Sequence, residues 1–159
     1  MDTQDRWASE HEQTLRSFLI ATHLLLDRLD RDLQRQAEIP LAYYQVLACL
    51  SEASQCTLRM SDLAAHLHGS RSRLSHAVAR LEERGWVQRV ACPTDKRGAY
   101  AVLTAQGRAA FQAAAPGLFE SVRQHLFDQL SAEQAGHLRT ISELLAAHLC
   151  RHEELDPAD

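Results

Sequence analysis

The chain has 159 residues, of which 45% are hydrophobic and 24% are charged, and its formal net charge is −4. This length suits a single globular domain, and no apolar run reaches the roughly 18 residues that a membrane-spanning helix needs. The charged N-terminus lacks the apolar core of a signal peptide, so we expect a cytoplasmic protein with no membrane partner.

The first predicted helix covers about residues 10–36 and carries a long apolar stripe. Its members recur at helical spacing, at Leu15, Phe18, Leu19, Thr22, Leu25, Leu26, Leu29 and Leu33. The polar residues 1–10 are expected to be frayed, apart from Trp7. The stripe is longer than a helix needs if it covers only its own small domain. We therefore expect part of it to pack against a second subunit.

Two shorter helices follow a break at Ile39-Pro40, because the residue before a proline avoids the helical region. The first spans about Leu41 to Glu52 and buries part of its apolar face. The second spans Met60 to Leu67, with Leu63, Ala64 and Leu67 facing inward. His68-Gly69 then forms a tight turn of the kind that joins the two helices of a helix-turn-helix.

The next helix is bounded by Ser70 as its N-cap and by Gly85 as the left-handed residue after its end. Leu74, Val78 and Leu81 recur at helical spacing and predict a narrow buried stripe. The rest of the helix carries hydroxyl groups and cations, at Arg71, Ser72, Arg73, Ser75, His76 and Arg80. Such a surface can enter a DNA major groove, where arginine reads guanine through paired donors.

Two β-prone runs come next, Trp86–Ala91 and Ala99–Leu103, and the segment Cys92–Gly98 joins them. Proline and glycine punctuate the joining segment, and Lys96 and Arg97 place two cations at its tip. Helix, strand, charged loop and strand, in that order, are typical of a winged helix-turn-helix.

The distribution of charge favours the same interpretation. Residues 69–98 contain seven basic and three acidic side chains, whereas the remainder contains ten basic and eighteen acidic ones. A positive patch on an acidic body steers DNA to one face of a protein. The alternative is that these arginines form an ordinary solvated helix surface.

The wing region contains Asp95-Lys96-Arg97, then five residues, then Leu103-Thr104-Ala105-Gln106-Gly107. Upstream lie Ser61-Asp62-Leu63-Ala64 and Arg80-Leu81-Glu82. In these motifs the chain resembles the MarR family of bacterial transcription regulators, whose wing signature is Asp-x-Arg, five residues and Leu-Thr-x-x-Gly. The resemblance covers nearly the whole chain.

The resemblance implies a mainly α fold with a small antiparallel β wing. In this fold a winged helix-turn-helix core is flanked by N- and C-terminal dimerisation helices, and a very short strand at Leu58 lies beside the wing. We expect one domain over residues 8–152, with the winged helix at 41–103 and the dimerisation helices at about 10–36 and 105–151. The chain should form a homodimer whose two recognition helices, about one DNA turn (~34 Å) apart, read a palindrome in double-stranded DNA.

Two helices complete the chain. Thr104 is expected to cap the first, which runs to about Gln129. Pro116 should kink this helix without ending it, although an uncompensated interior proline costs about 3 kcal/mol. Ser131–Gln134 is a capping box for the last helix, which runs to about Arg151. The tail from residue 153 onward is expected to be disordered.

The predicted DNA contacts on the recognition helix divide by position. The main groove-facing side chains are Arg73, His76 and Arg80, with Ser72 and Ser75 as shorter contacts. Ser70 and Arg71 lie at the helix N-terminus, where free amides favour phosphate.

The wing is expected to make a second set of contacts. Arg97 resembles the family's minor-groove arginine, and a narrow A·T-rich minor groove attracts such a cation. Asp95 has the wrong charge for DNA, so we expect it to support the wing by holding Arg97 or a neighbouring amide. Lys96 and Thr94 are expected to contact phosphate.

The resemblance also implies regulation by a small aromatic or anionic effector. Candidate lining residues are Trp7, His11, Arg16, Tyr43 and Tyr44. The alternative is that Trp7 and the two tyrosines are ordinary core or interface residues.

The cysteines suggest a redox switch as a second mode of regulation. The four cysteines are Cys49, Cys56, Cys92 and Cys150. They include no Cys-x-x-Cys pair, so neither a zinc finger nor a disulfide framework is indicated. Cys92 lies next to the cationic wing, where a thiolate is favoured. The alternative is an inert thiol. The peroxide-sensing branch of the family carries its reactive cysteine in the N-terminal helix, where this chain has none.

Other chemistry is less well supported by the sequence. His148 and His152 lie one helical turn apart, but a helix C-terminus also favours histidine, and there is no tetrahedral ligand set. We find no phosphate loop, nucleophile elbow or paired carboxylates, and Ser75 and His76 point in different directions on a helix. We therefore expect a DNA-binding repressor without cofactor, metal or enzymatic activity. A winged-helix module for protein–protein contact is the alternative.

Overall fold

Helices dominate the computed structural model, which describes residues 3–68, 70–92 and 98–155, with side chains described from residue 9 to residue 151 within these ranges. The described elements are α1 (Thr3–Ala37), α2 (Leu41–Glu52), β1 (Thr57–Arg59), α3 (Met60–His66), α4 (Arg71–Glu83), β2 (Val87–Ala91), β3 (Ala99–Leu103), α5 (Ala105–His125) and α6 (Ala132–Leu155). Single 3₁₀ turns lie at Ser54–Cys56 and Phe127–Gln129.

The three strands form one antiparallel sheet in the order β1-β3-β2. Thr57 pairs with Val102 on one side of β3, and Val87 pairs with Leu103 on the other. This arrangement confirms the mainly helical fold with a small antiparallel wing. The short strand expected at Leu58 is β1.

The main core lies where α2, α3 and α4 pack against the sheet. Its buried residues are Val46, Leu47, Leu50, Leu63, Ala64, Leu74, Ala77, Val78, Leu81, Val87, Ala101 and Leu103. The predicted stripe of α4 is therefore buried. Burial of this apolar surface is the main term that holds α4 against the sheet.

The corner between α1 and α2 is closed by a carboxylate from within α1. Pro40 precedes α2 and makes no side-chain cap. Asp30 instead accepts the main-chain N–H of Leu41 at 2.7 Å, which satisfies one of the unpaired donors of the first turn. Ile39, beside this corner, is buried together with Leu33 of α1.

The predicted glycine end of α4 is confirmed. Gly85 has a φ of +69° and donates its N–H to the carbonyl of Glu82 at 2.8 Å, while Trp86 donates to the carbonyl of Leu81 at 2.9 Å. These two bonds are those of a Schellman motif, which satisfies the last carbonyls of a helix.

Thr104 caps α5, as the sequence predicts, and also fastens this helix to the turn before β2. Its hydroxyl accepts the N–H of Gly107 at 3.0 Å and donates to the carbonyl of Gly85 at 2.7 Å. Its own N–H donates to the carbonyl of Trp86 at 3.0 Å. A Cβ on Gly107 would lie only 2.1 Å from that Trp86 oxygen. In the Leu-Thr-x-x-Gly motif, Thr104 therefore caps the start of α5. Gly107 allows the same helix start to pack closely against the main chain of Trp86.

The ends of three helices differ from the sequence prediction. α1 already begins at Thr3, so residues 3–10 are helical and not frayed. α5 continues through Pro116 as expected but ends at His125, since Leu126 leaves the helical region (φ −123°, ψ −66°) and a 3₁₀ turn follows. α6 continues to Leu155, past the predicted end at Arg151, so residues 153–155 are helical rather than disordered.

The predicted capping box of α6 is present. The side chain of Gln134 accepts the N–H of Ser131 at 2.8 Å, and the hydroxyl of Ser131 accepts the N–H of Gln134 at 3.2 Å. Each residue therefore satisfies an unpaired donor of the other.

The chain divides into two compact units, Met1–Glu120 and Ser121–Asp159. The single domain at 8–152 remains a prediction. No helix in the described part of the chain is long and apolar enough to cross a membrane.

Candidate nucleic-acid interface

The predicted recognition helix, α4, has one face in the core and one in solvent. Ser70 is its N-cap, accepting the N–H of Arg73 at 3.3 Å. Leu74 and Leu81 anchor the buried face. The predicted helix contacts are all exposed, and these are Ser70, Arg71, Ser72, Arg73, Ser75, His76 and Arg80. The structure therefore brings the seven together on the solvent side of one helix.

The predicted wing residues Thr94, Asp95, Lys96 and Arg97 lie outside the described residues. At the base of this segment, the N–H of Cys92 donates to the carbonyl of Gly98 at 2.9 Å. This bond continues the β2–β3 pairing by one step and closes the base of the segment.

Arg80 is paired with an acid of its own helix. Its Nη1 donates to Glu83 Oε2 at 2.8 Å, and this hydrogen bond together with the charge of Glu83 raises the pKa of Arg80. Both side chains are exposed. Since exposed ion pairs are weak, a phosphate or a base edge can compete with Glu83 for this guanidinium.

A cavity of about 650 Å³ lies between α3, α4 and the sheet. It is lined by three arginines with hydroxyl groups between them, including Arg59, Ser61, Arg71, Ser72, Ser75 and Arg89. Guanidinium and hydroxyl donors at this density suit an anionic ligand such as a DNA phosphate. The sequence predicted Arg71, Ser72 and Ser75 here but missed two of the three arginines, Arg59 and Arg89.

Arg59 joins β1 to the base of the wing. Its guanidinium lies 5.6 Å from the centre of the Tyr100 ring, and its Nε donates to Tyr100 Oη at 3.3 Å. Its Nη2 donates to the sulfur of Cys92 at 3.3 Å. The hydrogen bond to Tyr100 and the charge of Cys92 raise the pKa of Arg59. Cys92 is buried, so the candidate redox thiol is shielded from solvent.

Arg84 and Arg89 hold α4 from outside its core face, and the sequence pattern assigned a role to neither of them. Arg84 donates to the main-chain carbonyl of Glu38, 46 residues away, at 3.0 Å, and stacks 4.9 Å from the centre of the Trp86 ring. Arg89 reaches from β2 to α4, where it contacts Ser75 and Glu82. Opposite charge is a sequence signal for the Arg89–Glu82 pair alone, since the other partners are two main-chain carbonyls and an aromatic ring.

The candidate effector residues differ in their surroundings: those on α1 are exposed, whereas the two tyrosines of α2 pack against other residues. His11 and Arg16 are exposed on α1, and Arg16 pairs with Glu12 at 3.0 Å. Tyr44 is buried, its ring centre 5.0 Å from that of Phe111, and burial raises the pKa of its hydroxyl. Tyr43 packs against the main core. The side chain of Trp7 lies outside the described residues.

The remaining reactive groups are dispersed. None of the four cysteines, all of which lie in the part of the chain that the structure describes, forms a disulfide bond. Burial, with a smaller effect from the Glu52 charge, raises the pKa of Cys49. Within the ranges that the structure describes, no group of three or more histidine, cysteine, aspartate or glutamate side chains is arranged to hold a metal ion.

Comparison with known proteins gives one consistent family. Residues 37–98 match the sequence model of the MarR family. Sco3205, a MarR family transcriptional regulator from Streptomyces coelicolor crystallised in complex with DNA, is 47% identical with a TM-score of 0.83, over 88% of this chain and 91% of that one. AbsC, a MarR family regulator from the same organism, is 37% identical with a TM-score of 0.79, over 87% and 93%. The transcriptional repressor MprA of Escherichia coli is 25% identical over 92% of this chain and 86% of its own length.

Proposed function

Because this chain belongs to the MarR family of transcriptional regulators, we propose that it is a sequence-specific repressor that binds a palindromic operator as a homodimer. The main support for this proposal is the two-sided character of α4. One face of this helix is buried in the core, and the other presents arginine, histidine and hydroxyl groups to solvent. The 47% identical relative that was crystallised with DNA supports the same role.

The proposed DNA contacts follow the division expected for such proteins. Arg73, His76 and Arg80 face the major groove, while Ser70 and Arg71 at the helix N-terminus contact phosphate, where free amides assist. Thr94, Lys96 and Arg97 form the wing contact, with Asp95 supporting it. The arginine-lined cavity beside α4 suits a further phosphate.

The homodimer is supported by apolar surface that one protomer leaves in solvent. Residues 15–26 of α1 expose large hydrophobic side chains, including Leu15, Phe18, Leu19, Ile20 and Leu24. The exposed set on α6 comprises Ile141, Leu144, Leu145 and Leu149. Exposed apolar surface of this extent marks an interaction site, and a two-fold dimer also gives the two half-site contacts that a palindrome requires.

A small aromatic or anionic effector is the regulatory part of the proposal, with Trp7, His11, Arg16, Tyr43 and Tyr44 as its candidate contacts. Its support is the family resemblance. We expect a phenolic acid to stabilise the free protein and to weaken its DNA complex, since a ligand stabilises the state that binds it. A thermal-shift series with phenolic acids, repeated with DNA present, measures both effects.

The direct test is to recover the DNA that the purified chain retains from a random library, and to sequence it. We expect a two-fold symmetric site with half-site centres about 10 base pairs apart. Retention of DNA without sequence enrichment would contradict sequence-specific recognition. Retention of no DNA would contradict the proposal and favour a protein-contact module.

Arg73→Ala should relax the base preference at one position of each half-site, at a cost of about 1–3 kcal/mol. Replacing Lys96 by alanine should instead weaken binding to all sequences and lower the salt slope by about one phosphate contact. Fluorescence anisotropy with the selected site and its single-base variants distinguishes the two effects. An Arg73→Ala protein with unchanged base preference would remove Arg73 from the base-reading set.

Arg97→Ala should weaken operator binding at moderate salt, and the loss should be greatest for sites with an A·T-rich minor groove beside each half-site. Replacing the flanking A·T pairs by G·C should produce a similar loss in the parent protein and little further loss in the variant. Unchanged operator affinity in Arg97→Ala would show that the wing does not contribute a minor-groove contact.

A further inference from the structure

Arg89 connects β2, the strand that leads into the wing, to the middle of the recognition helix. Its Nη2 donates to the main-chain carbonyl of Ser75 at 2.7 Å and lies 3.5 Å from Ser75 Oγ. Its buried Nε makes no hydrogen bond of good geometry, but it forms an ion pair with Glu82 Oε2 at 3.3 Å. The main-chain N–H of Arg89 donates to Glu82 Oε1 at 2.9 Å.

These contacts add a constraint that the local chain does not supply. The C-terminal end of α4 is already fixed by the Gly85 turn. Arg89 contacts the helix at Ser75. At 3.6 residues per turn, this position is about two and a half turns before that end. A helix that is held at two points in addition to its buried face pivots less against the strand than one held by that face alone. The contacts therefore restrict the angle between α4 and β2.

We propose that Arg89 and Glu82 are positioning residues for operator recognition, an inference that rests on the proposed DNA-binding function. They set the angle between α4 and β2, the strand that leads to the predicted wing contacts, so that both sets of contacts meet the same half-site. Arg89 is thereby separated from the arginines expected to contact DNA. Its guanidinium is committed to Ser75 and Glu82, so the phosphate proposed for the adjoining cavity is assigned to the other two arginines that line it, Arg59 and Arg71.

Substitution of Glu82 distinguishes a positioning role from a simple charge effect, because the two predict opposite changes in DNA affinity. Removing an acid from a DNA-binding helix reduces repulsion of the phosphates, so charge alone predicts that Glu82→Gln tightens binding. A positioning role predicts the opposite, because Arg89 loses its charged partner and the helix loses its fixed angle. Gln at position 82 still offers an oxygen to the main-chain N–H of Arg89, so this variant should fold.

Glu83→Gln is the matched control, because it removes the same charge one residue later on the same helix. Glu83 pairs with Arg80 rather than with β2. Loss of this acid should leave operator affinity equal to the parent's or tighter, since Arg80 is then freed for DNA.

Arg89→Lys separates positioning from phosphate contact. Lysine keeps the positive charge, but its single ammonium cannot reproduce the planar fork that reaches two partners. We expect Arg89→Lys and Glu82→Gln each to weaken operator binding about tenfold, and the double variant to be no weaker than either, since residues in one network are not additive. The salt slope of each should equal the parent's, because no phosphate contact is lost.

The experiment measures anisotropy with the selected operator and with unrelated DNA across a salt series, together with the melting temperature of each free protein. Affinity for unrelated DNA should change little in the variants, because only the specific complex needs helix and wing in register. Tighter operator binding by Glu82→Gln, full affinity in Arg89→Lys, or a salt slope lowered by about one contact would overturn the positioning role. A parent protein that binds neither DNA would instead overturn the proposed function itself.

Discussion

Gly107→Ala is expected to destabilise the folded protein by about 3 kcal/mol or more, which is the upper end of the usual cost of overpacking. The added Cβ would lie 2.1 Å from the carbonyl oxygen of Trp86, 2.8 Å from its carbonyl carbon and 2.9 Å from Leu103 Cδ1. For a chain of this size the melting temperature should fall by about 6–12 °C. Differential scanning calorimetry of the variant and the parent measures the change.

The cost is large because the backbone atom that must move is already held. The Trp86 oxygen accepts the N–H of Thr104 at 3.0 Å and lies 3.1 Å from the Thr104 hydroxyl. Moving this oxygen away from a Cβ breaks the bonds that fix the start of α5. A flexible side chain at the same place would turn aside at little cost, but a hydrogen-bonded carbonyl cannot.

Gly136→Ala provides the control, since it makes the same change inside another helix. A Cβ at Gly136 meets nothing within 4 Å. Alanine there should stabilise α6 by about 0.5–1 kcal/mol, because it removes the backbone entropy cost of glycine. If both variants raised the melting temperature alike, the close approach at Gly107 would be wrong.

Features that depend on neighbours in sequence could be predicted before the fold was known. The N-cap at Ser70, the left-handed Gly85 and the cap at Thr104 each need only a few consecutive residues, and all three are present. The buried stripe of α4 follows from helical spacing in the same way. The seven exposed residues of the candidate interface could be predicted for the same reason, because they occupy positions outside this buried stripe.

Features that depend on distant contacts could not be predicted in this way. The Leu-Thr-x-x-Gly motif was recognised as a pattern, but the reason for Gly107, the carbonyl of Trp86, lies on a packed neighbour 21 residues earlier. Asp30 reaches 11 residues ahead to cap α2, which leaves no local signal. Nothing in the local sequence distinguishes Arg89 from other cations on strands, because its contact with Ser75 forms only in the folded protein. The end of α5 was misplaced because helical periodicity continues through Leu126 and Phe127 after the backbone has left the helix.

Leu145→Asp is expected to separate the proposed homodimer into monomers. Leu145 lies between Ile141 and Leu149 along one row of α6, because residues four apart share a helix face. In the single chain these three side chains are 44–60% exposed. A carboxylate buried in an apolar interface has no partner for its charge, and this cost opposes association. Light scattering should show a fall from twice the chain mass of 17.9 kDa to that mass itself.

Operator affinity should fall at least about 100-fold in the same variant, because two linked half-site contacts gain this much from effective concentration and a monomer has only one. Ala147→Asp is the control: position 147 is roughly 200° around the helix from Leu145, and its side chain is exposed. This variant should stay dimeric and bind the operator with parental affinity. A dimeric Leu145→Asp protein with full affinity would place the subunit interface away from this row of α6. A parent protein that is itself monomeric while binding a palindrome would remove the dimer from the mechanism.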